Sequence, residues 1–172
     1  NEILKRLTLN PVEEDEFIDK DINIRDYLHE IISSFKEISK KEFVFNFDQD
    51  SNPKKISKSI EIVYGLRNFI GNANKFAKNS IFINLKSDSE FTEITVEDDG
   101  NGYPRDIISK IGEPYLKSNY SKDKSKEGLG LGLFIGKTLL EKNFASVNCR
   151  NSKTRDGAEV VIRWKNKELF NI

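Results

Sequence analysis

Apolar residues along this chain switch repeatedly between two spacings. Ile24, Tyr27, Leu28, Ile31, Ile32 and Phe35 recur at intervals of three and four. That is the spacing of one helix face, and it predicts an amphipathic helix over 23–35. Phe43, Phe45 and Phe47 alternate with Glu42, Val44 and Asn46, the period of a strand. A longer helical stripe of Ile62, Leu66, Phe69, Ile70, Ala73 and Phe76 predicts a helix from about 53 to 78. Two strands follow over 81–85 and 91–96, separated by the turn-rich Lys86, Ser87, Asp88 and Ser89. Residues 103–127 are polar and weakly periodic. A helix over about 131–141 and strands near 145–150 and 158–164 close the chain. At the start, Ile3, Leu4 and Leu7 predict a helical tail over 1–9, ended by Pro11 and followed by the acidic run Glu13, Glu14, Asp15 and Glu16. Helices interspersed with strands and hairpin-like pairs predict a two-layer α/β (α+β) sandwich.

Composition narrows the functional classes. The 172 residues suit one domain with a sizeable core. Twenty-eight basic residues balance 28 acidic ones, which removes the main electrostatic reason to expect a nucleic-acid partner. Cys149 is the only cysteine, so no internal disulfide forms. No apolar run is long enough to span a bilayer, so direct membrane contact is not expected. The absence of Met, at position 1 and elsewhere, suggests a piece of a longer protein.

Four constellations carry candidate chemistry. Asn68, Asn72 and Lys75 fall within roughly 60° of arc on the long helix, beside its apolar stripe. Two amides and an ammonium suit a Mg2+-bound polyphosphate, since an amide oxygen is a hard ligand and the ammonium is a point charge on phosphate. A solvated polar face has the same pattern. Asp98, Asp99, Gly100, Asn101 and Gly102 follow a strand. The glycines allow close approach of a ligand, and a carboxylate there accepts a hydrogen bond from an exocyclic amine such as adenine N6. An ordinary hairpin turn is the competing reading. Gly128, Leu129, Gly130, Leu131, Gly132 and Leu133 open a helix, where unobstructed backbone N–H groups form an anion site; a flexible entry to a helix reads the same. Residues 112–127, with Lys117, Lys122, Lys124 and Lys126, fit either a mobile lid carrying cations to phosphate or a solvated loop.

The order and spacing of these elements resemble the ATP-binding domain of sensor histidine kinases. Residues 66–76 look like its N box, 98–102 its G1 box, 128–133 its G2 box, and Gly112, Glu113, Pro114 and Tyr115 its F box. The resemblance covers about 21–166. It implies a mixed, mostly antiparallel sheet of about five strands, covered on one face by about three helices, with a flexible ATP lid. It also implies ATP and Mg2+ as ligands. Asn72 would hold Mg2+, Asn68 would lie near the phosphates, Lys75 would contact phosphate, and Phe76 would lie beside the nucleoside. Asp98 would bind adenine N6, with Gly100 and Gly102 shaping that wall. Gly128, Gly130 and Gly132 would hinge the lid and present backbone to phosphate, with Lys117 on the lid. The sequence departs from the family at Gly112 and Tyr115, where phenylalanines are usual, at Ala158, where Thr is common, and at Phe144-Ala145, where a Gly pair is frequent. Residues 1–7, the 112–115 box and the run 128–141 are similar to the RegB/PrrB redox-responsive kinases. On that resemblance 1–20 would be the end of a dimerisation helix plus linker, 21–167 the catalytic domain and 168–172 a tail. The partners implied are the protein's own dimerisation and phospho-acceptor domain, as a homodimer, and a response regulator, within a parent anchored in a bacterial inner membrane.

Related ATPases of this fold usually carry a Glu one turn before the Mg2+-binding Asn, as a general base. Here that position is Asn68, which cannot take a proton. This favours an acceptor that is itself nucleophilic, a neutral imidazole, and in-line transfer of the γ-phosphoryl group driven by positioning and Mg2+. His29 is the only histidine. It lies on the amphipathic helix without the Arg and Pro of an acceptor box, and reads as a surface or partly packed residue. Cys149 shares a strand with Val147 and reads as a small hydrophobe. The competing function is an ATP-sensing or docking module of the same fold without phosphotransfer.

Overall fold

The computed structural model describes residues 22–48, 55–56, 59–111 and 129–169, with the side chains of 55, 56 and 129–131 left aside. The predicted tail over 1–9, the acidic run 13–16, the 112–127 segment with Lys117, and Gly128 lie outside the described residues.

Strand β1 (Ile22–Asn23) leads directly into helix α1 (Ile24–Lys36). Asn23 caps this helix, its side-chain oxygen accepting from Arg25 N at 2.9 Å. Ile24, Tyr27, Leu28, Ile31 and Ile32 are buried, as the spacing requires. Strand β2 is Glu42–Phe47, and β3 is Lys55–Ile56, which pairs antiparallel with β1. The helix expected from 53 therefore starts later. Ser59 is the N-cap of α2 (Ile60–Phe76), accepting from Ile62 N, and the residues before it are drawn into a strand pair. The reason lies in the pattern: the apolar stripe begins only at Ile62, so nothing upstream gains burial by staying helical.

The main sheet runs in the order β2, β4 (Ser80–Ser87), β5 (Phe91–Asp98), β7 (Ala158–Lys165), β6 (Ser146–Asn151). Only β2 and β4 are parallel; the remaining neighbours are antiparallel. Strict alternation sends Ile81, Ile83 and Leu85, then Ile94 and Val96, then Val160, Ile162 and Trp164 into the core. The register aligns them, with Ile83 opposite Val96 and Val96 opposite Val160. Phe82, Glu97, Glu159 and Arg150 form one row of the other face, where the Arg155 guanidinium lies 3.4 Å from the Phe82 ring centre.

Helices α1, α2 and α4 (Leu129–Lys142) cover the core face; α3 (Arg105–Ile108) and α5 (Asn166–Leu169) are single turns. Helices α2 and α4 touch closely at Gly65 and Gly136. A Cβ at Gly65 would lie 2.6 Å from Leu140 Cγ, and one at Gly136 2.9 Å from the Phe69 ring. The far end of this pair is tied by Glu61, which accepts from Lys142 Nζ at 2.6 Å and Asn143 Nδ2 at 2.7 Å. The buried Trp164 indole donates to Asn143 O at 3.0 Å. Just past the end of helix α4, Phe144 is left-handed at φ 67°, and Ala145 N donates back to Leu140 O at 3.0 Å. No helix of the described residues is long and apolar enough to cross a membrane.

Candidate nucleotide site

A cavity of about 510 Å³ opens between the C-terminal half of α2 and the adjoining ends of β5 and β7. Phe69, Asn72, Ala73, Lys75 and Phe76 line it from α2. Val96, Asp98, Ala158 and Val160 line it from the strands, and Asn101, Gly102, Tyr103 and Pro104 from the loop after β5. The volume suits a small ligand. Its lining mixes apolar and polar groups, with one carboxylate at depth.

That carboxylate is Asp98, only 3% exposed. It is the last residue of β5 rather than part of a free turn. The ordinary hairpin reading fails here, because β5 pairs with β4 and β7 while the Asp98–Gly102 segment leads toward α3. Both hydrogen bonds to Asp98 reach Oδ1, from Gly100 N at 2.8 Å and Ala158 N at 3.3 Å. Among the described residues none reaches Oδ2, which leaves that oxygen for a ligand. Burial pushes the Asp98 carboxyl above its ordinary value, against the pull of the two backbone donors.

Two neighbours of Asp98 are fixed by contact. A Cβ at Gly157 would lie 1.9 Å from Asp98 O and 2.6 Å from Oδ1, so only glycine lets β7 start this close to β5. Gly100 is seated on the end of α2, where a Cβ would meet Phe76 O at 2.3 Å. The next carboxylate, Asp99, accepts from Lys78 N at 2.8 Å, Asn79 N at 3.0 Å and Ser80 N at 3.2 Å. It pins the α2–β4 turn to the end of β5. Partial burial works to raise its carboxyl, but the backbone donors hold it below its ordinary value.

On α2, Asn72 and Phe76 face the cavity, and the Lys75 ammonium sits 5.3 Å from the Phe76 ring centre. Asn72 Nδ2 is buried and has no hydrogen-bond partner among the described residues. An orphaned buried amide costs about 1–3 kcal/mol, so this point of the site calls for an acceptor. Asn68 does not line the cavity. Its Nδ2 donates back to Tyr64 O at 2.7 Å, and its side chain sits at the α2–α4 contact beside Gly132 and Gly136.

The Gly-rich run also differs from expectation. Helix α4 begins at Leu129, not 131, so Gly130, Leu131 and Gly132 lie within its first turns. Gly132 packs toward Asn72, with a Cβ there 3.3 Å from Asn72 Nδ2, and Leu133 is fully buried in the core. The run therefore brings the start of α4, with the unsatisfied N–H groups of a first helical turn, against the Asn72 face of α2. The local reason is size: a Cβ at 132 would press on the Asn72 amide, which would have to shift by a few tenths of an ångström.

Residues that the sequence did not single out as ligands also shape the cavity. Gly157 was marked only by its place beside Ala158, and the pairing of Asp98 with the start of β7 is invisible until the sheet order is known. Tyr103 is buried, and burial raises its hydroxyl far above its ordinary value. Cys149 is half-buried and packed on the core, and burial pushes its thiol up to about 11, where it is a poor nucleophile. His29 is exposed on α1, edge-on to the Phe45 ring.

The family model described as "Histidine kinase-, DNA gyrase B-, and HSP90-like ATPase" matches residues 57–168. Sensor histidine kinase RegB of Cereibacter sphaeroides is 39% identical over 97 residues, covering 54% of this chain and 21% of that protein. The chain thus spans about a fifth of the length of the curated relatives it matches. Among solved structures, the catalytic domain of histidine kinase ThkA superposes with a TM-score of 0.70 at 19% identity, covering 86% of this chain and 96% of that one. Full-length ShkA, solved in complex with AMPPNP, gives 0.68 at 20% identity over 84% of this chain and 30% of its own. On the match over 57–168, together with this fold and cavity, the chain belongs to the histidine kinase-, DNA gyrase B- and HSP90-like ATPase family, and it is similar over part of its length to sensor histidine kinases.

Proposed function

We propose that this domain binds Mg2+-ATP in the α2–β5–β7 cavity and presents its γ-phosphoryl group to a histidine on a separate dimerisation domain, which 1–20 would adjoin. The observation that carries the reading is Asp98: a buried carboxylate whose Oδ1 is occupied by backbone and whose Oδ2 is left for an exocyclic amine. The AMPPNP in the ShkA structure supports the choice of nucleotide.

Phe76 and the apolar floor of Val96, Val160 and Ala73 would hold the base, and Lys75 would offer its charge to phosphate. The donor set fits Mg2+ in one respect. Asn72 supplies an amide oxygen, and no group of three or more His, Cys, Asp or Glu gathers among the described residues. A single protein oxygen suits an ion that keeps its waters and shares the phosphates; bound there, it would neutralise charge on the phosphoryl group. The first turn of α4, with Gly130 and Gly132, lies beside Asn72 and would offer backbone N–H groups to phosphate. Gly128 and Lys117 would act from the lid. Asn68 carries no base and is turned into the helix contact, so it would support Asn72 and α4 rather than touch the reacting atoms. Full phosphorelay would require the homodimeric parent, anchored in a bacterial inner membrane, and a response regulator.

Incubation with γ-labelled ATP tests the transfer. Label is expected on the histidine of an added dimerisation domain and none on this chain alone, because His29 is exposed on α1 and belongs to no lining of the cavity. Label on His29 refutes the acceptor assignment. ATP binding without transfer to any acceptor domain would favour the sensing module instead.

A further inference from the structure

The cavity wall made by Asn101, Gly102, Tyr103 and Pro104 follows Asp98 but is not held by β5. It is held from the far edge of the sheet. Asn151, the last residue of β6, uses both polar atoms of its side chain on one backbone residue. Its Oδ1 accepts from Tyr103 N at 2.6 Å, and its Nδ2 donates to Tyr103 O at 3.0 Å. A neighbouring strand residue would make the same reciprocal pair with its backbone. Gly102 rests on this side chain. It is left-handed at φ 73°, and a Cβ there would lie 2.7 Å from Asn151 Oδ1. Asn151 itself does not line the cavity.

We propose that Asn151 is a positioning residue for nucleotide binding: from the edge strand β6 it clamps the backbone of Tyr103, and so fixes the loop wall that faces Asp98 across the cavity mouth. It acts on the ligand through that loop and not by contact. The proposal rests on the nucleotide reading of the cavity. Without the clamp, the half-buried N–H and C=O of Tyr103 lose their partners and the loop samples other conformations. Part of the binding free energy then goes to reordering it.

ATP titration by calorimetry on the native chain, Asn151→Ala and Asn151→Asp, paired with amide hydrogen exchange, tests it. Asn151→Ala is expected to weaken ATP binding about 5- to 20-fold, the scale of losing two neutral hydrogen bonds. The Tyr103 amide should exchange faster while amides of the β6–β7 ladder stay protected. Asn151→Asp keeps the acceptor for Tyr103 N–H but sets a carboxylate oxygen against Tyr103 O, and should lose at least as much as Asn151→Ala. Equal affinity in all three proteins overturns the proposal. So does a loss matched by faster exchange along the whole β6–β7 ladder, which would mark a merely structural role. A native chain that binds no adenine nucleotide overturns the nucleotide reading and this proposal together.

Discussion

Asp98→Asn is the sharpest perturbation of the site, because it changes one atom's chemistry and almost none of its shape. The amide oxygen can keep the two bonds now made by Oδ1, from Gly100 N and Ala158 N, so the fold should lose little. The amide nitrogen then takes the place of Oδ2 and points a donor at the donor N6 of adenine. A hydrogen bond to a charged acceptor contributes about 1.5–3 kcal/mol. At 1.4 kcal/mol per tenfold, ATP affinity should fall about 10- to 150-fold. Inosine triphosphate, with a carbonyl at that position, should lose far less or gain. The assay is calorimetric titration of both nucleotides, with the melting temperature checked in parallel. Unchanged ATP affinity in a folded variant refutes the adenine assignment; an equal loss for both nucleotides would show that Asp98 does not read the C6 edge. The sign of the pH dependence supplies a second check. Burial raises the Asp98 carboxyl above its ordinary value of 3.8. Its contribution to stability is therefore present below the ordinary value and lost as pH rises through the raised one. Nucleotide binding runs the other way, since the amine needs the charged acceptor. Affinity should fall as pH drops through the raised Asp98 value, and Asp98→Asn should remove that fall.

Two further substitutions test the packing around the site. Gly157→Ala places a methyl 1.9 Å from Asp98 O and should cost about 1–3 kcal/mol as β5 and β7 move apart, with ATP binding lost more than tenfold; a variant that melts and binds like the native chain would contradict the close approach. Phe144→Gly relieves a left-handed residue, worth about 1–2 kcal/mol, against about 0.4–1 kcal/mol of added unfolded-state freedom. Phe144 is 54% exposed, so urea unfolding should show a net gain of up to about 1.6 kcal/mol; a clear loss would mean its ring contacts outweigh the strain.

The sequence by itself determined the elements and the family. Apolar spacing placed α1, α2 and five strands, since a residue's periodicity is a local property that the core only confirms. The order of the Asn72, Asp98 and Gly132 segments identified the ATP-binding pattern, because each lies in one continuous stretch. Element boundaries were less legible. Lys55 and Ile56 left the predicted helix to pair with β1, and Asp98 joined the end of β5, since partners far along the chain decide which backbone groups are satisfied. The tertiary structure alone decided how the cavity is closed. Gly157 meets Asp98 only because β7 is laid beside β5. Asn151 grips Tyr103 across 48 positions of chain. Asn68, alike in spacing to Asn72, is taken into the α2–α4 contact instead of the cavity. Such contacts depend on distances of tenths of an ångström between segments whose separation in sequence carries no trace of them.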